Sequence, residues 1–137
     1  MEFVDSDSEI VKTAGPIPEI FAKQGEDAFR DIESEVIRTL SQKTGCVIAT
    51  GGGVIKREKN IKYLKQNGCV IFIDRPFDAL QTGHGRPLSP DVQKLKALYD
   101  ERMPIYNAVC DIKINADGTI YDNVQRIIDK YNESNNK

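Results

Sequence analysis

Apolar residues along the chain form short continuous runs, and longer stretches with helical spacing separate them. The runs predict four β-strands, at residues 2–4, 46–50, 69–73 and 111–114. Their apolar positions are continuous rather than alternating, which is typical of strands buried on both faces of a parallel sheet.

Helical spacing fills the intervals between these runs. It is clearest in residues 26–41, where apolar side chains recur every three or four positions. Further helices are predicted at residues 60–66, 92–103 and 119–131. Asn60 is the predicted cap of the first of these helices, and Pro104 is the predicted breaker of the second. The alternation of strands and helices indicates a layered α/β fold with a parallel sheet.

The segments between these elements show no linker that would divide the chain, so we predict a single domain over residues 1–137. Two irregular stretches, residues 13–18 and 81–90, are rich in glycine or proline. The second has the composition of a lid, which we place at about residues 81–91. The polar end of the chain, about residues 132–137, is predicted to be frayed.

The composition narrows the classes of partner. The net charge is −2 at pH 7, whereas nucleic-acid-binding proteins usually carry a basic surplus, so we expect no nucleic-acid partner. No apolar run approaches the length of a membrane span, and the N-terminal residues lack the pattern of a signal peptide. We therefore expect a soluble cytoplasmic protein without a membrane partner. Anionic small molecules remain possible ligands, because they require only local cations.

The three cysteines, Cys46, Cys69 and Cys110, lie in or beside apolar runs, and no two are spaced as metal ligands. They are predicted to be reduced core residues. The single histidine, His84, excludes a cluster of histidines.

Three consecutive glycines, Gly51, Gly52 and Gly53, follow the second predicted strand. They do not form a phosphate-binding loop of the GxxxxGK[ST] type, because Val-Ile-Lys follows them without a serine or threonine. Glycines at the carboxyl end of a parallel strand leave bare backbone where ligands bind in open α/β sheets. The pattern favours contact with a ligand, and turn geometry alone is the alternative.

Charged side chains near other element ends each have a functional and an ordinary explanation. Asp5 and Asp7 could serve Mg²⁺ and a substrate hydroxyl from one side of an extended segment, or Asp7 or Ser8 could cap a helix. Arg30 could bind a carboxylate or form a surface ion pair with Glu33.

Two further arginines leave the same choice open. Arg86 could close over a phosphate from the predicted lid, or be an ordinary loop residue. Arg102 could bind an anion, or favour the helix dipole at a helix end.

The order of these signals is more specific than any one of them. Along the chain follow FVDSD at residues 3–7, GEDAFRDIE at 25–33, ATGGG at 49–53, RPL at 86–88 and RMPIY at 102–106. This series resembles the shikimate kinase family over nearly the whole chain. The resemblance implies a three-layer P-loop-kinase-like fold with a parallel sheet. It also implies transfer of phosphate from ATP to shikimate, with Mg²⁺, in the chorismate pathway of aromatic amino acid biosynthesis.

The resemblance also assigns roles to residues. Arg30 and Arg102 would bind the carboxylate of shikimate, and Gly51, Gly52 and Gly53 would hold its hydroxylated ring. Asp7 would bind the accepting hydroxyl and act as its base, and Asp5 would help to hold Mg²⁺ through water. Phe21 and Phe29 would supply an apolar wall. Arg86 would close from the lid onto the transferring phosphate of the nucleotide.

The chain departs from the family on the nucleotide side. The family's GxxGxGK[ST] loop, with the central strand before it and the helix after it, has no match in residues 1–137. Gln81 stands where an arginine typically stacks on adenine, the lid is short, and Ile10-Val11 replaces Ile-Glu. We therefore expect weak nucleotide binding and little or no activity from this chain alone. A sheet without its central strand predicts a homo-oligomer or a strand swap.

Three alternatives stay open at this point. The first is a degenerate, non-catalytic module that binds shikimate or a similar hydroxy acid. The second is a related small kinase for another metabolite, such as gluconate, and the third is a purely structural role.

Overall fold

The computed structural model describes residues 1–75 and 90–135, with the backbone alone at residues 90–92. The described chain divides into two compact units, Met1–Gly68 and Cys69–Lys137. The single domain expected from the sequence stays a prediction. No helix among the described residues is long and apolar enough to cross a membrane.

The first unit alternates strands and helices in the predicted way. Its elements are β1 (Glu2–Asp5), α1 (Ser6–Ala14), α2 (Ile17–Leu40), β2 (Cys46–Ala49), a 3-10 helix (Gly52–Lys56) and α3 (Glu58–Gln66). Strands β1 and β2 are parallel, with Glu2 opposite Cys46 and Asp5 opposite Ala49. The core lies between the helices, where Ile10, Ile20 and Phe29 form a buried cluster.

The irregular stretch expected at residues 13–18 is shorter than predicted. Helix α1 runs to Ala14, and α2 begins at Ile17 with a proline in its first turn. Only Gly15, at φ 92°, and Pro16 separate the two helices, because proline is compatible with the first turn of a helix. Helix α2 is itself interrupted at Gly25, whose φ of 88° and ψ of 174° are open almost only to glycine.

Among its described residues, the second unit contains β3 (Ile71–Asp74), α4 (Pro90–Val109), β4 (Ile112–Asn115) and α5 (Ile120–Asn135). Strands β3 and β4 are parallel, with Ile71 opposite Ile112. Helix α5 continues to Asn135, so the tail predicted to be frayed from residue 132 is mostly helical. Residues 136–137 lie outside the described part of the chain.

Two predicted helix boundaries are wrong. Asn60 does not cap α3, because the helix begins at Glu58, and the Asn60 side chain is fully buried and donates to the Val54 carbonyl at 3.0 Å. Pro104 does not end α4, which continues to Val109. Beyond the proline, the Tyr106 ring still stacks on Phe72 at 4.7 Å, and this packing favours the continued helix.

The strands are less buried than their continuous apolar runs predict. Phe3, Val47 and Ile73 are exposed on β1, β2 and β3, and the described residues form two sheets of two strands each. The expectation that the cysteines are core residues is also wrong. Cys69 is exposed, and Cys46 and Cys110 are partly exposed, because all three stand at or before the first residue of a strand, ahead of the side chains that reach the core.

Candidate active site

Arg30 of α2 is held by two carboxylates of its own helix. Its Nη1 donates to Glu33 Oε1 at 2.8 Å, and its Nε donates to Glu26 Oε2 at 3.4 Å. The Arg30 side chain is 12% exposed and that of Glu33 only 1%. The ordinary explanation from the sequence, a surface ion pair, is therefore wrong, because a guanidinium that is largely removed from water needs such partners.

The glycine run packs directly against this guanidinium. A Cβ built on Gly53 would lie 2.5 Å from both Nη1 and Nη2 of Arg30, which is closer than real Cβ contacts come. Gly53 is buried in the 3-10 helix that begins at Gly52. Glycine at this position therefore allows the Arg30 side chain to reach Glu33. Turn geometry alone does not explain why residue 53 is a glycine.

The other end of the run faces a carboxylate. A Cβ on Gly51 would lie 3.4 Å from Oδ2 of Asp7, which is ordinary van der Waals contact. Gly51 has φ −72° and ψ 157°, an extended conformation that any residue can adopt. The first residue of the glycine run therefore lies beside Asp7, and the third lies against Arg30.

Asp5 and Asp7 occupy different positions from those expected. Strand β1 ends at Asp5, whose Oδ1 accepts hydrogen bonds from the amides of Asp7 at 2.9 Å and Ser8 at 3.2 Å. Asp5 is thus the helix N-cap, rather than Asp7 or Ser8. Asp7 lies in the first turn of α1, so the two carboxylates do not share one extended segment. No group of three or more metal-ligating side chains occurs in the part of the chain that the structure describes.

A second set of contacts fixes the 3-10 helix to α2. Lys56 Nζ donates to Glu26 Oε2 at 2.6 Å. The Lys56 ammonium holds the pKa of Glu26 below its ordinary value of 4.5, mainly through this hydrogen bond, and Arg30 acts in the same direction. Arg57 pairs with Asp31 and donates to the Asp27 carbonyl at 3.3 Å. These contacts hold the glycine run in place.

Sequence reasoning missed Lys56 and Asn60 as parts of this arrangement. The sequence had already indicated Glu33 as a partner of Arg30, and Glu26 could have been found as well, because it stands four residues before Arg30 on the same helix face. Nothing local to Lys56 or Asn60 indicates their partners, which lie 30 and 6 residues away along the chain.

The two predicted wall residues lie together in the first unit. The rings of Phe21 and Phe29 are 4.8 Å apart and tilted by 37°. The Arg30 guanidinium carbon lies 5.0 Å from the centre of the Phe29 ring, which is within the range of a cation–π contact. Phe29 is buried and Phe21 is exposed, so the pair presents apolar surface next to a cation.

Arg102 lies in the second unit, on α4. Since that helix continues to Val109, Arg102 is not in its last turn, and the helix-dipole explanation for it is wrong. Its Nε is buried and has no hydrogen-bond partner among the described residues. The side chain lines a cavity of about 210 Å³, together with Phe72, Asp74, Tyr99 and Tyr106.

A phenol and a carboxylate meet in the same cavity. The Tyr99 hydroxyl donates to Asp74 Oδ1 at 3.2 Å, and Lys113 Nζ lies 3.6 Å from Asp74 Oδ2. Burial raises the pKa of Tyr99 above 10.0, and the negative charge of Asp74 raises it further. Arg86 and the RPL motif lie outside the described residues, as does most of the lid expected at about residues 81–91.

Comparison with known proteins gives one consistent result. The family model described as shikimate kinase matches residues 1–132. The shikimate kinase of Clostridium botulinum is 43% identical over 132 residues, which are 93% of this chain and 79% of the relative. That of Thermodesulfovibrio yellowstonii is 41% identical and covers 98% of this chain and 83% of the relative.

Solved structures agree with the sequence relatives. The shikimate kinase of Acinetobacter baumannii, solved in complex with shikimate, has a TM-score of 0.84 and 36% identity, over 98% of this chain and 79% of that protein. The shikimate kinase of Aquifex aeolicus has a TM-score of 0.83 and 36% identity, over 98% and 82% of the two chains. The similarity therefore includes the segment with Arg30 and the glycine run.

Proposed function

Because the chain belongs to the shikimate kinase family, we propose that Arg30, Asp7 and the glycine run form the part of its active site that binds shikimate. The enzyme's function is the transfer of phosphate from ATP to shikimate, a step of aromatic amino acid biosynthesis. The observation that carries the assignment is the Arg30 guanidinium, which a buried Glu33 carboxylate orients against Gly53.

The substrate carboxylate needs more positive charge than the first unit supplies. Arg30 and Lys56 are balanced there by Glu26 and Glu33. Arg102, from the R-x-P-x-Y motif, supplies the second guanidinium for this carboxylate. Support for this role comes from its buried Nε, which lacks a hydrogen-bond partner among the described residues.

Asp7 binds the hydroxyl that accepts the phosphate and acts as its base. Its position beside Gly51 supports this role, because it places the carboxylate next to the glycine run that holds the ring hydroxyls in this proposal. Phe21 and Phe29 limit the pocket on its apolar side. Arg86, which lies outside the described residues, acts on the transferring phosphate.

Mg²⁺ suits a site with one carboxylate and several waters, and when bound it neutralises charge on the nucleotide phosphates. Asp5 helps to hold the ion through water, and support for this role comes from its cap interaction, which uses Oδ1 and orients the carboxylate at the end of β1. The capped helix also fixes Asp7, in the first turn of α1, two residues after Asp5.

The phosphates of ATP require a further segment. Residues 1–137 contain no GxxxxGK[ST] sequence, and each described sheet has two parallel strands. We infer that a strand and a phosphate-binding loop from outside these residues, in the same polypeptide or in another copy, complete the sheet and the nucleotide site. Without them, residues 1–137 bind nucleotide weakly and transfer phosphate slowly or not at all. The cytoplasm remains the expected location.

Titration calorimetry with shikimate tests the substrate site. Arg30→Ala is expected to weaken binding by roughly 10- to 100-fold, because a hydrogen bond to a charged group contributes about 1.5–3 kcal/mol. Arg38→Ala is the matched control, since Arg38 lies on the same helix and pairs with Glu35 at the same i,i+3 spacing but is exposed. Equal affinity of the two variants would contradict the assignment.

A non-catalytic module that binds shikimate is the second candidate, and the absence of a phosphate-binding lysine motif from residues 1–137 favours it. Mass spectrometry of shikimate incubated with ATP, Mg²⁺ and the chain separates the two. A shikimate phosphate that depends on the chain supports the kinase, whereas binding without any product supports the module.

A further inference from the structure

The Glu26 carboxylate lies between two cations and is shared unequally by them. Its Oε2 accepts a hydrogen bond from Lys56 Nζ at 2.6 Å and another from Arg30 Nε at the longer distance of 3.4 Å. The second carboxylate on Arg30, that of Glu33, accepts from Nη1 at 2.8 Å. Lys56 is therefore the closer partner of Glu26, and Glu33 is the closer partner of Arg30.

The position of Glu26 matters because its carboxylate competes with a substrate carboxylate for the same guanidinium. The two hydrogen bonds from Arg30 to the carboxylates use Nη1 and Nε, and neither uses Nη2. Arginine and carboxylates favour a bidentate arrangement with two parallel hydrogen bonds. A Glu26 carboxylate that turned fully towards Arg30 would occupy Nε and Nη2 together, and no complete edge of the guanidinium would remain for a ligand.

The same four side chains set the local charge. Arg30 and Lys56 carry two positive charges, and Glu26 and Glu33 carry two negative charges, so the group is neutral. Without Lys56, one positive charge would face two negative charges beside the proposed anion site. Lys56 also lowers the pKa of Glu26, first through its hydrogen bond and then through its charge. Glu26 is therefore ionised at neutral pH, and the Lys56 ammonium offsets its charge.

We propose that Lys56 is a positioning residue for substrate binding. Its ammonium draws the Glu26 carboxylate away from Arg30 and offsets the charge of that carboxylate, so that the guanidinium stays open to the carboxylate of shikimate. Lys56 acts through Glu26 rather than by contact with the substrate. This inference rests on the proposed function, because it requires that Arg30 binds the substrate carboxylate.

A purely structural role of the contact would give different results. Lys56 ends the 3-10 helix that begins at Gly52, and its bond to Glu26 ties this helix to α2. If this tie were the whole role, every variant that breaks it would weaken substrate binding to a similar degree. In the proposal, the charge left on residue 26 decides the affinity, so variants that all break the contact bind shikimate differently.

Titration calorimetry of the full chain with shikimate separates the two roles. Lys56→Met leaves Glu26 uncompensated and is expected to weaken binding by about 3- to 10-fold, because the two side chains are 40% and 48% exposed and water screens part of the charge. Glu26→Gln removes the competing carboxylate and should bind shikimate at least as tightly as the unmodified chain. The double variant is neutral again and should return nearly to the affinity of the unmodified chain.

Lys56→Arg keeps the positive charge and should retain the affinity, and Lys62→Met, at an exposed lysine of α3, is the matched control. Equal weakening in Lys56→Met, Glu26→Gln and the double variant would overturn the proposal in favour of the structural role. Unchanged affinity in Lys56→Met would overturn it as well. Arg30→Ala, measured in parallel, separates the two levels of the argument. If Arg30→Ala binds shikimate normally, the proposed function fails, whereas weak binding by Arg30→Ala and normal binding by Lys56→Met reject only the inference.

A measurement without ligand tests the geometry by itself. In Lys56→Met, the Glu26 carboxylate should turn towards Arg30 and shorten its hydrogen bond to Nε, because shorter bonds form between charged partners that are free to approach. The Hε resonance of Arg30 in the NMR spectrum should then move downfield, and it should stay in place in Lys62→Met. An Hε resonance that does not move in Lys56→Met would show that Lys56 does not hold Glu26 away from Arg30.

Discussion

At the scale of single residues, two ion pairs on α2 share the same spacing but differ in their exposure to solvent. Arg30 pairs with Glu33 and Arg38 pairs with Glu35, both at i,i+3 spacing. The sequence presents them as equivalents. In the structure the first pair is almost removed from water and lies against Gly53, whereas the second is exposed. Only the first pair holds its guanidinium away from water, as the proposed substrate site requires.

Gly53→Ala should disturb this position. The added methyl group would lie 2.5 Å from the guanidinium nitrogens, so Arg30 must move away from Glu33. We expect a loss of about 1–3 kcal/mol in the free energy of unfolding, which urea denaturation can measure. Gly51→Ala is the control, because its φ of −72° and its ordinary contact with Asp7 allow the methyl group. If both variants are equally stable, the close packing of Gly53 is not important for stability.

Glu33→Gln removes the buried negative charge that faces Arg30. A buried ion pair that loses one partner typically costs about 3–5 kcal/mol, because the remaining charge is left uncompensated. Since Glu26 still contacts Arg30, we expect a loss near the lower end of this range, measured by chemical denaturation. Glu35→Gln, at the exposed pair, should leave the stability near that of the unmodified chain. A small effect at Glu33 would mean that Glu26 alone is sufficient.

At the scale of elements, the glycine run is positioned by the helices on either side of it. Lys56, at the end of the 3-10 helix, reaches Glu26 of α2, and the buried Asn60 of α3 donates to the Val54 carbonyl. The break of α2 at Gly25 comes immediately before Glu26. The segment with Arg30 therefore begins as a new helix whose first residue is fixed to the 3-10 helix.

The Glu26 carboxyl should report this connection by its titration. The pKa of Glu26 is lowered mainly by Lys56, so the stabilisation is fully present above pH 4.5 and is lost as the pH falls through the lowered pKa. Lys56→Met should raise the pKa of Glu26 back towards 4.5, although Arg30 keeps part of the effect. Carbon-detected NMR titration measures this shift. Lys62→Met, an exposed lysine of α3, is the control, and an equal shift in both variants would refute the contact.

At the scale of the whole molecule, the described residues form two small sheets, one in each unit. Each unit has one pair of parallel strands, and the exposed apolar side chains of Phe3, Val47 and Ile73 lie on these strands. Apolar strand residues are usually covered, so these surfaces are consistent with the proposal that another segment completes the sheet. Shikimate and nucleotide should then differ in how much they stabilise residues 1–137.

Thermal unfolding of the full chain distinguishes the two ligands. Shikimate at 100 times its dissociation constant should stabilise the chain by about 2.7 kcal/mol and raise the melting temperature by about 5–10 °C. ATP with Mg²⁺ should leave it unchanged. Arg30→Ala should lose the response to shikimate, whereas Arg38→Ala should keep it. A rise with ATP and Mg²⁺ alone would contradict the proposed division of the site.

The sequence by itself determined the alternation of elements, the parallel pairing they imply and the family, because periodicity, turn residues and motif order are local properties of the chain. It also singled out Arg30 and the glycine run. It did not determine that Gly53 receives the guanidinium, that Asp5 caps α1, or that α4 continues past Pro104. These features depend on which distant segments pack together, and burial, which separates Arg30 from Arg38, exists only once they have packed.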